Sequence, residues 1–191
     1  MPTLKNRTCV FAGATGDISR KAVELLLKGG MNVVLMTHNP QTANEIINEY
    51  ADLEGRCIAI SNQKERKEIF RDISERFGSI DVFISKTGQL EKPVDLEEVS
   101  AEDLNKTFTH QVCDVFEGIK DALPYLKKSQ NGRIILFSNI GSLNGFPQEN
   151  IVDNIVRASV NSMVLSLSRQ FAKDGITVNA VCFSGLIQDH A

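Results

Sequence analysis

The chain has 191 residues, enough for one domain with a sizeable core and too few for two ordinary ones. Hydrophobic residues make up 42% and charged residues 24%, with a formal net charge of −3, which is the make-up of a soluble globular protein. That balance gives no reason to expect nucleic acid or an anionic membrane as partner, and no run of about 18 apolar residues is present to span a bilayer. Met1–Arg7 lacks the apolar core of a signal peptide. Cys9, Cys57, Cys113 and Cys182 lie far apart in apolar or helical contexts, which predicts four reduced, mostly buried thiols in a cytoplasmic protein. His38, His110 and His190 are scattered as well, so no metal site is expected.

Cys9-Val10-Phe11-Ala12 is a short apolar run of the kind a buried parallel strand requires. Gly13-Ala14-Thr15-Gly16 interrupts it, and a helical pattern runs from Ile18 through Leu26 to Gly29-Gly30. Met31–Met36 reads as a second strand, Ala43–Tyr50 as a helix and Cys57–Ile60 as a third strand. Lys64–Phe77 is a charged helix with Ile69, Phe70, Ile73 and Phe77 on one face. Ile80–Ile84 is strand four and leads to Ser85-Lys86-Thr87-Gly88. Ser100-Ala101-Glu102-Asp103 offers a capping box for a long helix, Leu104–Lys127. Its apolar stripe is Val112, Val115, Phe116, Ile119, Leu123 and Leu126, and Pro124 kinks or ends it. Arg133–Ser138 is strand five. A loop rich in Gly, Ser and Asn, Asn139–Asn150, precedes the helix Ile151–Lys173, and Ile176–Cys182 is strand six.

Strands alternate with helices throughout, which means a parallel sheet covered on both faces by right-handed crossovers. The expected fold is α/β: a single three-layer, doubly wound Rossmann-type domain over residues 1–191, with at least six strands. The turn after the first strand is the frame that holds a pyrophosphate, because free backbone N–H groups and the positive helix end face the anion. Gly13 permits the tight turn, Gly16 lets the backbone approach phosphates, and Ser19 packs the helix on the sheet. A tight structural turn without a ligand is the alternative.

Four stretches together resemble the short-chain dehydrogenase/reductase family. They are the glycine turn, Asp81-Val82-Phe83-Ile84-Ser85-Lys86-Thr87-Gly88, Gly132-Arg133-Ile134-Ile135-Leu136-Phe137-Ser138-Asn139 and Gly175-Ile176-Thr177-Val178-Asn179-Ala180-Val181. The resemblance implies carbonyl/alcohol chemistry by an Asn, Ser, Tyr and Lys acting together with a nicotinamide cofactor. This chain carries Gln111, Asn139, Asp153 and Arg157 at those positions, so none of the standard catalytic set is present. Its two tyrosines, Tyr50 and Tyr125, are followed four residues later by Glu54 and Ser129, so no Y-x-x-x-K exists in any register.

An unperturbed Asp titrates near ~3.9 and has no proton to give at neutral pH. Spaced i, i+4 on a helix, Asp153 and Arg157 read first as a surface salt bridge; the sharper alternative is a desolvated Asp153 acting as an acid. Asn139 retains a donor for a carbonyl oxygen. Arg157 retains reach toward ribose hydroxyls but stays protonated, so it is no proton relay.

For the cofactor, the resemblance implies contacts from Gly13, Thr15, Gly16, Ile18, His38, Thr87, Gly88 and Arg157. Met36-Thr37-His38 offers no carboxylate to ribose hydroxyls, which favours NADP over NAD if NAD(P) binds at all. Asp17 is mildly adverse to phosphates, and Lys86 stands where the family has an Asn, able to pair with a phosphate or to face solvent. Family members also continue past the position of Ala191 into a substrate lid and a seventh strand.

Three functional readings follow. One is a non-catalytic member that binds NAD(P) and acts as a homo-oligomer or with an active paralogue, through the two long helices. The second is an NAD(P)(H)-dependent oxidoreductase with an altered proton path. The third is a nucleotide-sensing regulator.

Overall fold

Six runs of β-branched and apolar residues become strands, with the central ones buried on both faces and the edge strands partly exposed: β1 (Thr8–Ala12), β2 (Asn32–Thr37), β3 (Cys57–Ser61), β4 (Val82–Ser85), β5 (Arg133–Asn139) and β6 (Thr177–Phe183). In the computed structural model they form one all-parallel sheet in the order β3-β2-β1-β4-β5-β6. The structure describes residues 4–14, 16–37, 39–53, 55–61, 66–86, 88, 93–145 and 150–183.

Successive strand residues point to opposite faces, so the sheet separates two cores. Cys9, Phe11, Val33, Leu35 and Phe137 pack beneath α1 (Asp17–Lys28) and α2 (Pro40–Glu49). Val10, Val34, Phe83, Ile134 and Leu136 pack beneath the helices of the other layer: α3 (Arg66–Phe77), α4 (Ala101–Phe108), α5 (Asp114–Leu126) and α7 (Ile151–Phe171). Each fully buried side chain of this size stabilises the fold by about 1.5–3 kcal/mol. Asp81 ties the strand entrances together. Its carboxylate accepts the Thr8 N–H (2.9 Å) and the hydroxyls of Ser79 (2.7 Å) and Ser129 (2.6 Å).

Three sequence expectations are corrected. The long helix begins at the Ser100–Asp103 capping box, but a π turn at Thr109–Cys113 separates α4 from α5. The extra residue in that turn directs both Gln111 and Val112 inward. The Ser- and Asn-rich stretch expected as a loop contains a short helix, α6 (Gly141–Asn144), stopped by Gly145 in the left-handed region (φ +69°). Phe116, expected on the apolar stripe of the Leu104–Lys127 helix, faces outward instead, and Ile155 of α7 is exposed as well. The start of the charged helix at Lys64 lies outside the described residues.

Cysteine burial also differs from expectation. Cys9 is buried and its thiol is pushed far up by desolvation; Cys57 and Cys182 are half-buried, and Cys113 is exposed on the π turn. Among the described residues, no helix is long and apolar enough to cross a membrane.

Candidate functional site

In a doubly wound sheet the strand order reverses at one point, and a crevice opens there outside the carboxyl ends of the strands. Here the reversal falls between β1 and β4. The Gly13 N–H donates to Met36 O (3.3 Å), and Gly13 itself holds φ +78°, a conformation that leads the chain from β1 into α1 and that a Cβ resists. Ser19 is fully buried and donates its hydroxyl to Gly13 O (3.2 Å), so helix and turn are fastened to each other. Gly16 is the N-cap of α1 in extended geometry and provides no side-chain cap, which leaves the first-turn N–H groups facing the crevice. Ile18 is partly buried and turns its side chain into the apolar core. Thr15, His38 and Thr87 lie outside the described residues.

On the other side of the reversal, the Lys86 N–H donates to Ala12 O (2.9 Å), fixing that residue beside the glycine turn. Its ammonium reaches across the crevice, and Nζ stands 3.4 Å from the point a Cβ on Gly16 would occupy. Gly88 (φ +75°) is exposed, and the Gln111 carboxamide lies flat over it: an added Cβ would fall 2.1 Å from Gln111 Nε2. Gln111 is 6% exposed, and its Oε1 is buried without a hydrogen-bond partner among the described residues. An orphaned acceptor of this kind costs about 1–3 kcal/mol unless something meets it.

The far end of the crevice is built by β5, α6 and α7. Asp153 and Arg157 are 1% and 5% exposed, so the expected surface salt bridge is instead a buried charge pair. Burial pulls the Arg157 pKa down and the Asp153 carboxylate opposes that shift. Arg157 Nη1 donates to Phe137 O (3.0 Å), so part of the guanidinium is committed to the β5 backbone rather than open to a ribose. Asn139 is fully buried as well. Its Nδ2 donates to Asn154 Oδ1 (3.0 Å) and its Oδ1 accepts the Ser142 N–H (3.0 Å). The carboxamide expected to meet a substrate oxygen therefore holds α6 against α7.

Ser142, Asn154 and Asn161 complete this network, with the Ser142 hydroxyl donating to Asn139 O (2.6 Å) and accepting from Asn161 Nδ2 (2.7 Å). Sequence reasoning did not single these three out; the density of Ser and Asn between Asn139 and Asn150 was an available signal for Ser142 alone. A cleft of about 670 Å³ opens beside the network, lined by Pro93, Asp95, Glu98, Ser142, Asn154 and Ile155. Neither phenol reaches this region: Tyr125 stacks on Phe70 and Tyr50 caps the C-terminus of α2.

A glycine turn at the switch point of a six-stranded parallel sheet defines a Rossmann-type doubly wound protein. A family model described as Enoyl-(Acyl carrier protein) reductase matches residues 13–191, and the chain belongs to the short-chain dehydrogenase/reductase family of oxidoreductases. It is similar to an (S)-acetoin-forming diacetyl reductase of Staphylococcus epidermidis, 27% identical over 184 residues that cover 93% of this chain and 70% of that protein. A 3-oxoacyl-(acyl-carrier-protein) reductase of Thermotoga maritima is 24% identical over 183 residues, covering 93% of this chain and 73% of that one. Among solved structures, an NADH-dependent reductase complexed with NAD superposes with a TM-score of 0.83 at 22% identity, over 94% of this chain and 78% of that one. That likeness shows the fold.

Proposed function

We propose that this chain is a non-catalytic member of its family, which binds a nicotinamide dinucleotide and acts through association with another subunit. The observation that carries the reading is the buried Asp153–Arg157 pair. Standard carbonyl reduction needs a phenol whose proton is released under the influence of a neighbouring ammonium. Here a carboxylate and a guanidinium fill those places, and Arg157 Nη1 is spent on Phe137 O.

The residues present fit a dinucleotide at its diphosphate end. Uncapped N–H groups of α1, the Gly13 turn and the Lys86 ammonium converge on one side of the crevice, and the orphaned Gln111 Oε1 marks its middle. A bound nicotinamide cofactor supplies hydride transfer; this chain's own groups would anchor its phosphates and keep water from the β5 end, with no residue placed to deliver a proton by the family's route. The end of β2, Met36-Thr37, bears no carboxylate to hold ribose hydroxyls, which supports NADP over NAD. Phe108, Phe116, Ile155 and Leu165 expose apolar surface on α4, α5 and α7, which supports a homo-oligomer or a complex with an active paralogue.

One observation favours a second reading: Asp153 is withdrawn from water, as an altered proton donor requires. Calorimetric titration with NAD(H) and NADP(H), paired with a turnover assay across a panel of carbonyl compounds, separates the two. Binding without turnover supports the non-catalytic reading. Turnover that disappears in Asp153→Asn supports the second.

A further inference from the structure

We propose that Lys86 is a diphosphate-binding residue, completing with the N-terminal turn of α1 an anion clamp across the switch-point crevice. The proposal rests on the dinucleotide-binding reading above, and extends it by assigning part of the affinity to the side chain that follows β4 rather than to the glycine turn alone.

Three features converge. The Lys86 backbone is pinned to Ala12 O, so its side chain starts at the floor of the crevice beside the turn. The stem then carries Nζ to within 3.4 Å of the Cβ position of Gly16, directly over the uncapped end of α1. A long cation held against a helix's positive end sits where the field opposes it, and an anion that touches both relieves the opposition. Among the described residues the ammonium has no hydrogen-bond or ion-pair partner. The charged groups that face it are Asp17, on the first turn of α1, and Arg157, from α7.

Burial first, then the Arg157 charge, hold the Lys86 ammonium below the usual lysine range, with Asp17 pulling the other way. An ammonium under that load is relieved by a doubly charged ligand. A diphosphate is the ligand whose two phosphates can meet both the N–H groups of the α1 turn and the ammonium opposite. The same geometry predicts that recognition is weighted toward the ADP portion, because Arg157 and Asn139 at the other end are engaged with the protein.

The test is isothermal calorimetry on the full chain with NAD+, NADP+, ADP-ribose and AMP, for the wild type, Lys86→Met and Lys86→Arg. The expected result is a loss of about tenfold in Lys86→Met for all three diphosphate ligands, a smaller loss for AMP, and recovery in Lys86→Arg. Affinity in the wild type should also fall as rising pH takes the proton from Lys86, below the usual lysine range, and this dependence should vanish in Lys86→Arg. An unchanged affinity in Lys86→Met, or a loss confined to NADP+, overturns the assignment. Inorganic pyrophosphate serves as the separate probe: it should raise the melting temperature of the wild type and not that of Lys86→Met. If pyrophosphate behaves so while no dinucleotide binds, the dinucleotide reading falls and the anion clamp stands; equal stabilisation of both proteins removes the clamp.

Discussion

The two ends of the crevice dispose their polar groups in opposite ways. At the β1–α1 end, polar groups point outward and lack partners among the described residues: uncapped helix N–H groups and the Lys86 ammonium. At the β5–α7 end, polar groups point inward: Asn139 is bonded to Asn154 and Ser142, Arg157 donates to Phe137 O, and the Asp153 charge lies buried beside that of Arg157. Open polar groups are a surface prepared for a ligand, whereas closed ones hold elements together. The contrast teaches that Asn139 and Arg157 are tied into the architecture, whereas Lys86 and the first turn of α1 are left toward the crevice.

The largest expected break comes from Arg157→Met. It strands the buried Asp153 charge and removes the tie to Phe137 O, and should cost about 3–5 kcal/mol in urea unfolding. Adding Asp153→Asn to that variant should recover part of the loss, as expected of a coupled pair. Next is Gly88→Ala, where a positive φ and the Gln111 carboxamide both oppose a methyl group. Its cost should be about 2 kcal/mol or more by the same measurement, with Gln111→Ala returning the steric share alone.

Ser19→Ala tests the opposite end and should cost about 1 kcal/mol, the loss of the bond to Gly13 O. Dinucleotide affinity in that variant should fall as well, because the turn is no longer fastened to α1. The smallest effect lies on the outer face of α1. Glu24 accepts from Lys21 (2.7 Å) and Lys28 (2.5 Å), and these hydrogen bonds lower its pKa to about 2 from 4.5. The sign is that of a depressed carboxylate: its stabilisation is present above pH 4.5 and is lost as pH falls toward 2. Acid unfolding curves of wild type and Glu24→Gln should therefore converge at low pH.

Much of the fold was legible because local patterns suffice for it. The strand runs around Val10, Val34 and Ile134, and the Gly13 break, carry their signal in a few adjacent residues, and the capping box at Ser100 is wholly local. The π turn was not legible, since Gln111 and Val112 read as ordinary helix until packing against Gly88 and the sheet draws both inward. The helix at Gly141–Asn144 escaped notice because four residues are too few to show a period, and its contacts are distant in sequence: Asn139, Asn154 and Asn161.

The sequence by itself determined the order of elements, the membership in a reductase family and the lack of any Y-x-x-x-K. Only the tertiary structure decided that Asp153 and Arg157 are buried and that Lys86 spans the crevice. Helical spacing states that residues four apart share a face, but which face the sheet covers depends on how α7 seats against β5 and β6. The direction of a long side chain at a strand's end depends likewise on neighbours that the chain supplies from far away.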